Sequence, residues 1–384
     1  MAGSATAPYE ALLGVVAFCP LSFVGGLLPL VVNRLLGGKV EIVRIGFGPI
    51  RWQWPVGRGA ILQIRTIPIT YAGTKILSRT GRSYRDQHIL YAAKLLGPLI
   101  VVGAAAMLLP EQISLALIGL AVVMTGIDLA SPTKTSRRSR LAWFLGAAKR
   151  TESLPASLAM HALYAARSGD FTEAKRLETA LREQYDRPDL VAMVALLTAI
   201  ARGDPREVLG TGAPLPPNPP EAEEIARSDL AAAVLRGHFA YLAVEADPGC
   251  RESVSGYFLP SGWRTPEILD EDLGSSLLLV DSLDRGDAAG AFLLNRANLR
   301  TARPTRPSLA DDWCTQARIE AMLGRERKAA KALLRAQRLA PWYPRIKVVG
   351  DLGVAGGTGT PILPAASGPA RDAEQDPGSI SGSR

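Results

Sequence analysis

The sequence predicts an α-helical membrane protein: three transmembrane helices with a small cytoplasmic β-sheet insertion, followed by an all-α helical-repeat solenoid. Three observations predict it. Ala11 to Val32 is a run of 22 uncharged, mostly apolar residues, enough to span a bilayer core of roughly 30 Å as a helix. Lys and Arg crowd beside the apolar runs, on one side of them only. In the second half Gly169, Gly203 and Gly237 recur 34 residues apart. The expected organisation is a membrane module over 1–150, a repeat domain over 151–350 and a Gly/Pro/Ser-rich tail over 351–384 that is expected to be disordered.

The spans are expected at about 11–33, 89–110 and 112–130. Gly14, Pro20, Gly25, Gly26 and Pro29 would weaken the first as a helix in water, but are tolerated where neighbouring helices cover the kink. The second and third, with only Glu111 and Gln112 between their apolar runs, read as a tight hairpin, the alternative being a buried hairpin of a soluble core. Residues 33–88 hold ten Lys/Arg against Glu41 and Asp86, and residues 131–150 hold six Lys/Arg and no acid. Residues 1–10 and 110–112 hold no Lys or Arg. The positive-inside rule then puts the N-terminus outside, and the loop and everything after the third span in the cytoplasm. The first ten residues lack the basic stretch of a cleaved signal peptide, so the first run is expected to be retained. Cys19, Cys250 and Cys314 are odd in number and widely spaced, which suggests neither a disulfide framework nor a thiolate metal site.

The loop over 38–72 reads as strands Lys39–Gly46, Ile50–Trp54 and Ala60–Thr66, rich in β-branched and aromatic residues and separated by Gly/Pro turns. Trp52 and Trp54 share a face, with Arg51 beside them. That pairing fits a membrane–water interface or, equally, a tryptophan-lined core of an ordinary meander.

The same stretch resembles the site-2 protease family of intramembrane zinc metalloproteases. The pieces that carry the resemblance are Asn33-Arg34-Leu35-Leu36-Gly37-Gly38-Lys39-Val40, Ile45-Gly46-Phe47-Gly48-Pro49 and Ile67-Pro68-Ile69, in the family's order and spacing. The resemblance implies a zinc helix before Arg34, but the HExxH positions fall on Gly25, Gly26 and Pro29. A zinc site needs imidazoles at i and i+4 with a Glu as general base. After the third span the family carries an aspartate that completes the site; here Asp128 is followed by Pro132 with no Asp-Gly. His88, His161 and His238 are the only histidines and no pair has ligand spacing. No catalytic residue, metal or cofactor is expected.

In the second half each turn glycine is followed five residues on by a small or apolar residue: Ala174 after Gly169, Val208 after Gly203, Leu242 after Gly237, Ala291 after Gly286 and Ala329 after Gly324. A 34-residue period with that pairing is the tetratricopeptide arrangement. Trp313, Gly324, Ala329, Leu333, Ala336 and Pro341 match it best. About five degenerate hairpins are expected between Leu154 and Pro344, interrupted at Gly210–Pro220 and Asp247–Pro266; an unrelated helical bundle is the alternative.

Stacked hairpins offer a concave surface for peptides or partner helices. The expectation is a non-catalytic, membrane-anchored adaptor or regulator, with membrane lipid and a protein partner on the repeats. Alternatives are an active protease with an atypical metal site, or a repeat scaffold on an unrelated anchor. The net charge of +8 sits beside the spans, where anionic head groups attract it, so nucleic-acid binding is not expected.

Overall fold

The structure, a computed structural model, describes residues 7–57, 59–77, 83–130, 154–210, 227–260, 275–301 and 305–355. It is mostly helical, with one small sheet. Three apolar helices lead: α1 (Ala7–Leu35), α2 (Ser83–Ala106) and α3 (Glu111–Ala130). Two of them, over Val16–Leu35 and Ile89–Ala106, are long and apolar enough to cross a membrane; α3 holds the shorter apolar stretch Ile113–Ile127. Pro20 and Pro29 are accommodated within α1, and Pro98 within α2. The second helix ends four residues before the predicted Pro110. There Ser114 donates its hydroxyl to the Ala106 carbonyl at 2.7 Å, closing a tight α2–α3 turn.

These helices pack by small residues. A Cβ added to Gly25 of α1 would stand 2.6 Å from the Pro98 Cα, and one on Gly97 would meet the Gly25 carbonyl oxygen. Backbone thus lies against backbone, the close approach that small residues permit between helices in lipid. Phe18, Val102, Leu117 and Ala121 fill the space between the three helices. Larger apolar side chains point away: Val16, Val31, Ile100, Leu115, Val122 and Ile127 are all more than half exposed.

Helix α1 stops at Gly37, in the left-handed conformation at φ 74°, with the Gly38 N–H donating to the Asn33 carbonyl at 2.8 Å. Buried Asn33 donates its side-chain amide to the Lys39 carbonyl at 3.2 Å and so fixes the entry into the sheet. The sheet is two long, bent strands, β1 (Lys39–Val56) and β2 (Ala60–Leu77), rather than the three short ones predicted. Bulges explain the difference: Gly46 and Gly48 bend β1 at φ 88° and 85° without breaking it. Val43 lies opposite both Thr74 and Leu62, so the first half of β1 runs between two parts of β2. Pairing of Lys39 with Leu77 carries β2 beyond the predicted limit of 72 and returns the chain to the end of α1.

Helical hairpins follow: α4 (Leu154–Arg167) with α5 (Phe171–Gln184), α6 (Pro188–Arg202) with the short α7 (Pro205–Leu209), α10 (Ser275–Asp284) with α11 (Ala288–Thr301), and α12 (Arg306–Met322) with α13 (Glu326–Leu339). The turn glycines Gly169, Gly203, Gly286 and Gly324 all have positive φ, between 71° and 84°, a conformation that only glycine adopts without strain. Five residues on, Ala174, Val208, Ala291 and Ala329 are all buried. Gly237 breaks the rule. It lies inside α8 (Arg227–Ala246), where a Cβ would be 3.2 Å from the Leu277 side chain. Its glycine serves helix contact and makes no turn. The chain after α8 instead turns through α9 (Arg251–Val254), flanked by two 3₁₀ turns. The last helix, α14 (Arg345–Ala355), runs through residues 351–355 of the expected tail, with Ile346 and Val349 buried in the core; the rest of that tail lies outside the described residues.

Candidate functional site

The zinc positions implied by the resemblance are built differently. Gly25, Gly26 and Pro29 are all buried in α1. At Gly25 the backbone of α2 fills the space that an imidazole would need. Asp128 lies near the end of α3, and its side chain, like that of His88 in α2, lies outside the described residues. Among the described residues no group of three or more His, Cys, Asp or Glu could hold a metal ion. The close Gly25–Pro98 approach leaves no room for a zinc-ligating side chain at position 25.

Gly46, Phe47, Gly48 and Pro49 form the bend of β1. Arg65 donates to the Gly48 carbonyl at 3.1 Å and the Thr66 hydroxyl to that of Pro49 at 3.1 Å, so β2 clasps the bend. The motif shapes the sheet, and glycine is required twice in four residues because φ is positive twice.

The main interaction surface that the sequence did not reveal is the seam between this sheet and the helical hairpins. Ile61 is buried among Leu309, Cys314 and Tyr343, with Ile50 packed against the same cluster. Arg306, the first residue of α12, aims its guanidinium at the β1–β2 turn and donates to the carbonyl of Gly57 at 2.5 Å, with those of Ala60 and Val56 at 3.4 and 3.5 Å. Burial lowers its pKa, partly offset by Tyr164. On the other flank Arg167 of α4 pairs with buried Glu41 at 2.5 Å. Tyr164 donates to the Val40 carbonyl at 3.4 Å, and the Lys39 ammonium lies 5.0 Å above its ring. Gly59 is in close contact here, since a Cβ would run into the Tyr164 hydroxyl.

A second unpredicted feature fills the space between hairpins. Arg345, buried at the start of α14, pairs with Glu245 of α8 and Asp311 of α12, both at 2.9 Å, and donates to Thr315 at 2.6 Å. Glu245 also takes Arg318 at 2.9 Å. Asp311 accepts from the Tyr343 hydroxyl at 3.0 Å and faces His238 Nε2 at 2.9 Å, while His238 Nδ1 faces the Ser276 carbonyl. Burial alone would raise the Asp311 carboxyl, but Arg345 and His238 outweigh it and hold the group well below the usual carboxylate range. The same burial pushes the Cys314 thiol and the Tyr343 phenol up. Trp342 and Tyr343 lie against Gly169 and Gly203, where a Cβ would come within 2.6 and 2.5 Å of their rings. Helices α6, α8 and α12 thus converge on the chain's own segment 342–349.

Of the predicted packing residues, Ala336 is buried with Ala329, while Pro341 is exposed and ends the last hairpin. A shallow groove lies where α5 gives way to α6, lined by Arg182, Tyr185, Arg187, Pro188, Val191 and Ala195.

Comparison of the chain with protein families, curated proteins and solved structures finds no match.

Proposed function

We propose that the protein is a non-catalytic, multi-pass membrane adaptor or regulator with the ground plan of a site-2 protease. In this reading the N-terminus is outside, and the sheet and hairpins are cytoplasmic. The observation that carries it is the α1–α2 crossing. Where the resemblance calls for a metal ligand, Gly25 touches the Pro98 backbone, and a side chain there would separate the helices. The seam supports the adaptor half of the reading. Arg306, Arg167 and Tyr164 tie the hairpins to the loop between the first two apolar helices. A partner held by the hairpins would therefore be held at a set position relative to the spans. The partner, a protein segment, is taken to meet the groove between α5 and α6.

Zinc content tests the non-catalytic half. Detergent-purified protein should contain no stoichiometric zinc and cleave no single-span substrate; one zinc per chain, lost with activity in Asp128→Ala, would restore the protease. Topology is tested with an impermeant thiol reagent on intact cells. A cysteine at residue 3 should label, and Lys331→Cys, on the exposed side of α13, should not. The reverse pattern would overturn the orientation.

A further inference from the structure

The sheet has two unlike faces. Register sets two cross-strand rows side by side: Trp52, Ile64 and Ile45 in one, Trp54, Leu62 and Val43 in the next. Residues opposite one another project to the same face, and alternate rows share it. Both rows are apolar from end to end. The rows between and beyond them, Gln53–Gln63–Arg44 and Pro55–Ile61–Ile42, belong to the other face. That other face is the sealed one: Ile61 is in the hairpin core, and Ile42 and Gln63 are buried.

Among the described residues the Trp face is only partly covered. Trp52 is 48% and Trp54 46% exposed, as is Val56 at 48%. The two indoles stack at 6.2 Å, and the Arg51 guanidinium lies 4.8 Å over the Trp52 ring. Large exposed apolar patches mark interaction sites. We infer that this face lies on the lipid bilayer, its indoles at head-group depth, so that the sheet is held between lipid on one side and the helical hairpins on the other. Two features of the sheet choose lipid over another occupant. The sheet continues directly into the apolar helices, with three residues between α1 and β1 and five between β2 and α2. The face also pairs apolar rows and indoles with a guanidinium, the composition favoured at a membrane interface, where the ring body is buried and the polar edge and charge stay wet. The inference rests on the membrane reading of α1 and α2 and goes beyond it, because it gives the sheet its own lipid contact and fixes which side the hairpins occupy.

The test uses the full chain reconstituted in phosphatidylcholine vesicles, with acyl chains either plain or brominated at a shallow or a deep position. Flotation with the vesicles reports on the helices, and tryptophan quenching reports on the sheet. The parent should be quenched more strongly than the Trp52→Phe/Trp54→Phe variant, with the larger loss on substitution in the shallow-bromine lipid. Equal quenching of parent and variant in a chain that floats would overturn the inference while leaving the spans intact. Trp54→Cys then separates the other occupants: disulfide-linked pairs mean a second copy on this face, and their absence means a segment of the same chain. A chain that does not float removes both readings.

Discussion

The apolar helices and the helical hairpins are packed inside out relative to one another. In α1–α3 the smallest residues lie inside, with Gly25 against Pro98, and Val16, Ile100 and Val122 point outward. In the hairpins the outward positions are charged, as along α13 with Arg327, Lys331, Arg335 and Arg338 exposed, and the inward ones are Ala329, Leu333 and Ala336. The difference is the one that the proposed membrane placement of α1–α3 predicts. In water, burial of apolar area drives packing. In lipid that drive between helices vanishes, leaving close backbone approach and shape. Glycine shows the contrast most plainly, because Gly25 is needed for space and Gly324, where an added Cβ would meet nothing within 4 Å, for a positive φ.

Placing at the crossing the residue that the resemblance calls for should have the largest effect. Gly25→His would look like repair if the site were a lapsed metal centre. Here it sets a side chain against the Pro98 backbone, which cannot rotate away. We expect loss of folded, detergent-stable protein and no gain of zinc, read by size-exclusion chromatography and metal analysis. A monodisperse variant that binds zinc would show the crossing to be looser than described.

In the hairpins the largest effect belongs to Arg345. Removing one partner of a buried ion pair typically costs about 3–5 kcal/mol, because the other charges are left unpaired. Arg345→Ala leaves Glu245 with Arg318 alone and Asp311 with His238 and Tyr343, so the hairpin transition in thermal melts of the full chain should move down by less than the loss of a sole partner would cause. No shift would mean that the cluster is wetter than its burial indicates. Ala329→Leu tests ordinary overpacking between α12 and α13, at about 1–3 kcal/mol; an unchanged melt would overturn the register of that hairpin.

Acid should act on the hairpins through Asp311. Its folded pKa is depressed by Arg345 and His238 against the opposing effect of burial. Its stabilising contribution is therefore fully present above the ordinary carboxylate value of about 3.9 and is lost as pH falls below it. Asp311→Asn should flatten the acid limb of a melting-temperature profile while lowering the whole curve. An acid limb unchanged by the substitution would assign the effect to other carboxylates.

Much of the local structure was legible because it rests on single residue types. Glycines at 169, 203, 286 and 324 read as turns because each is followed five residues on by a small or apolar residue, whereas Gly48-Pro49 read as a turn between strands and is instead a bend within one. Gly237 carried the same spacing but sits mid-helix; period alone does not separate a turn glycine from one that admits Leu277. Contacts between distant segments were not legible. Arg306 reaches Gly57 across 249 residues, and Arg345 reaches Glu245 across 100. Neither Arg has a local partner to announce it. The contacts of segment 342–349 with α8 and α12 belong to the same long-range class.

The inside-out packing is tested most directly by nitroxide accessibility in reconstituted full-length protein. Single labels at Val16, Ile100 and Val122, all more than half exposed, should collide readily with oxygen, which concentrates in lipid, and poorly with a water-soluble nickel chelate. A label at Lys331 of α13 should show the opposite preference. Nickel access at Ile100 and Val122 equal to that at Lys331 would contradict the account, since those side chains would then face water.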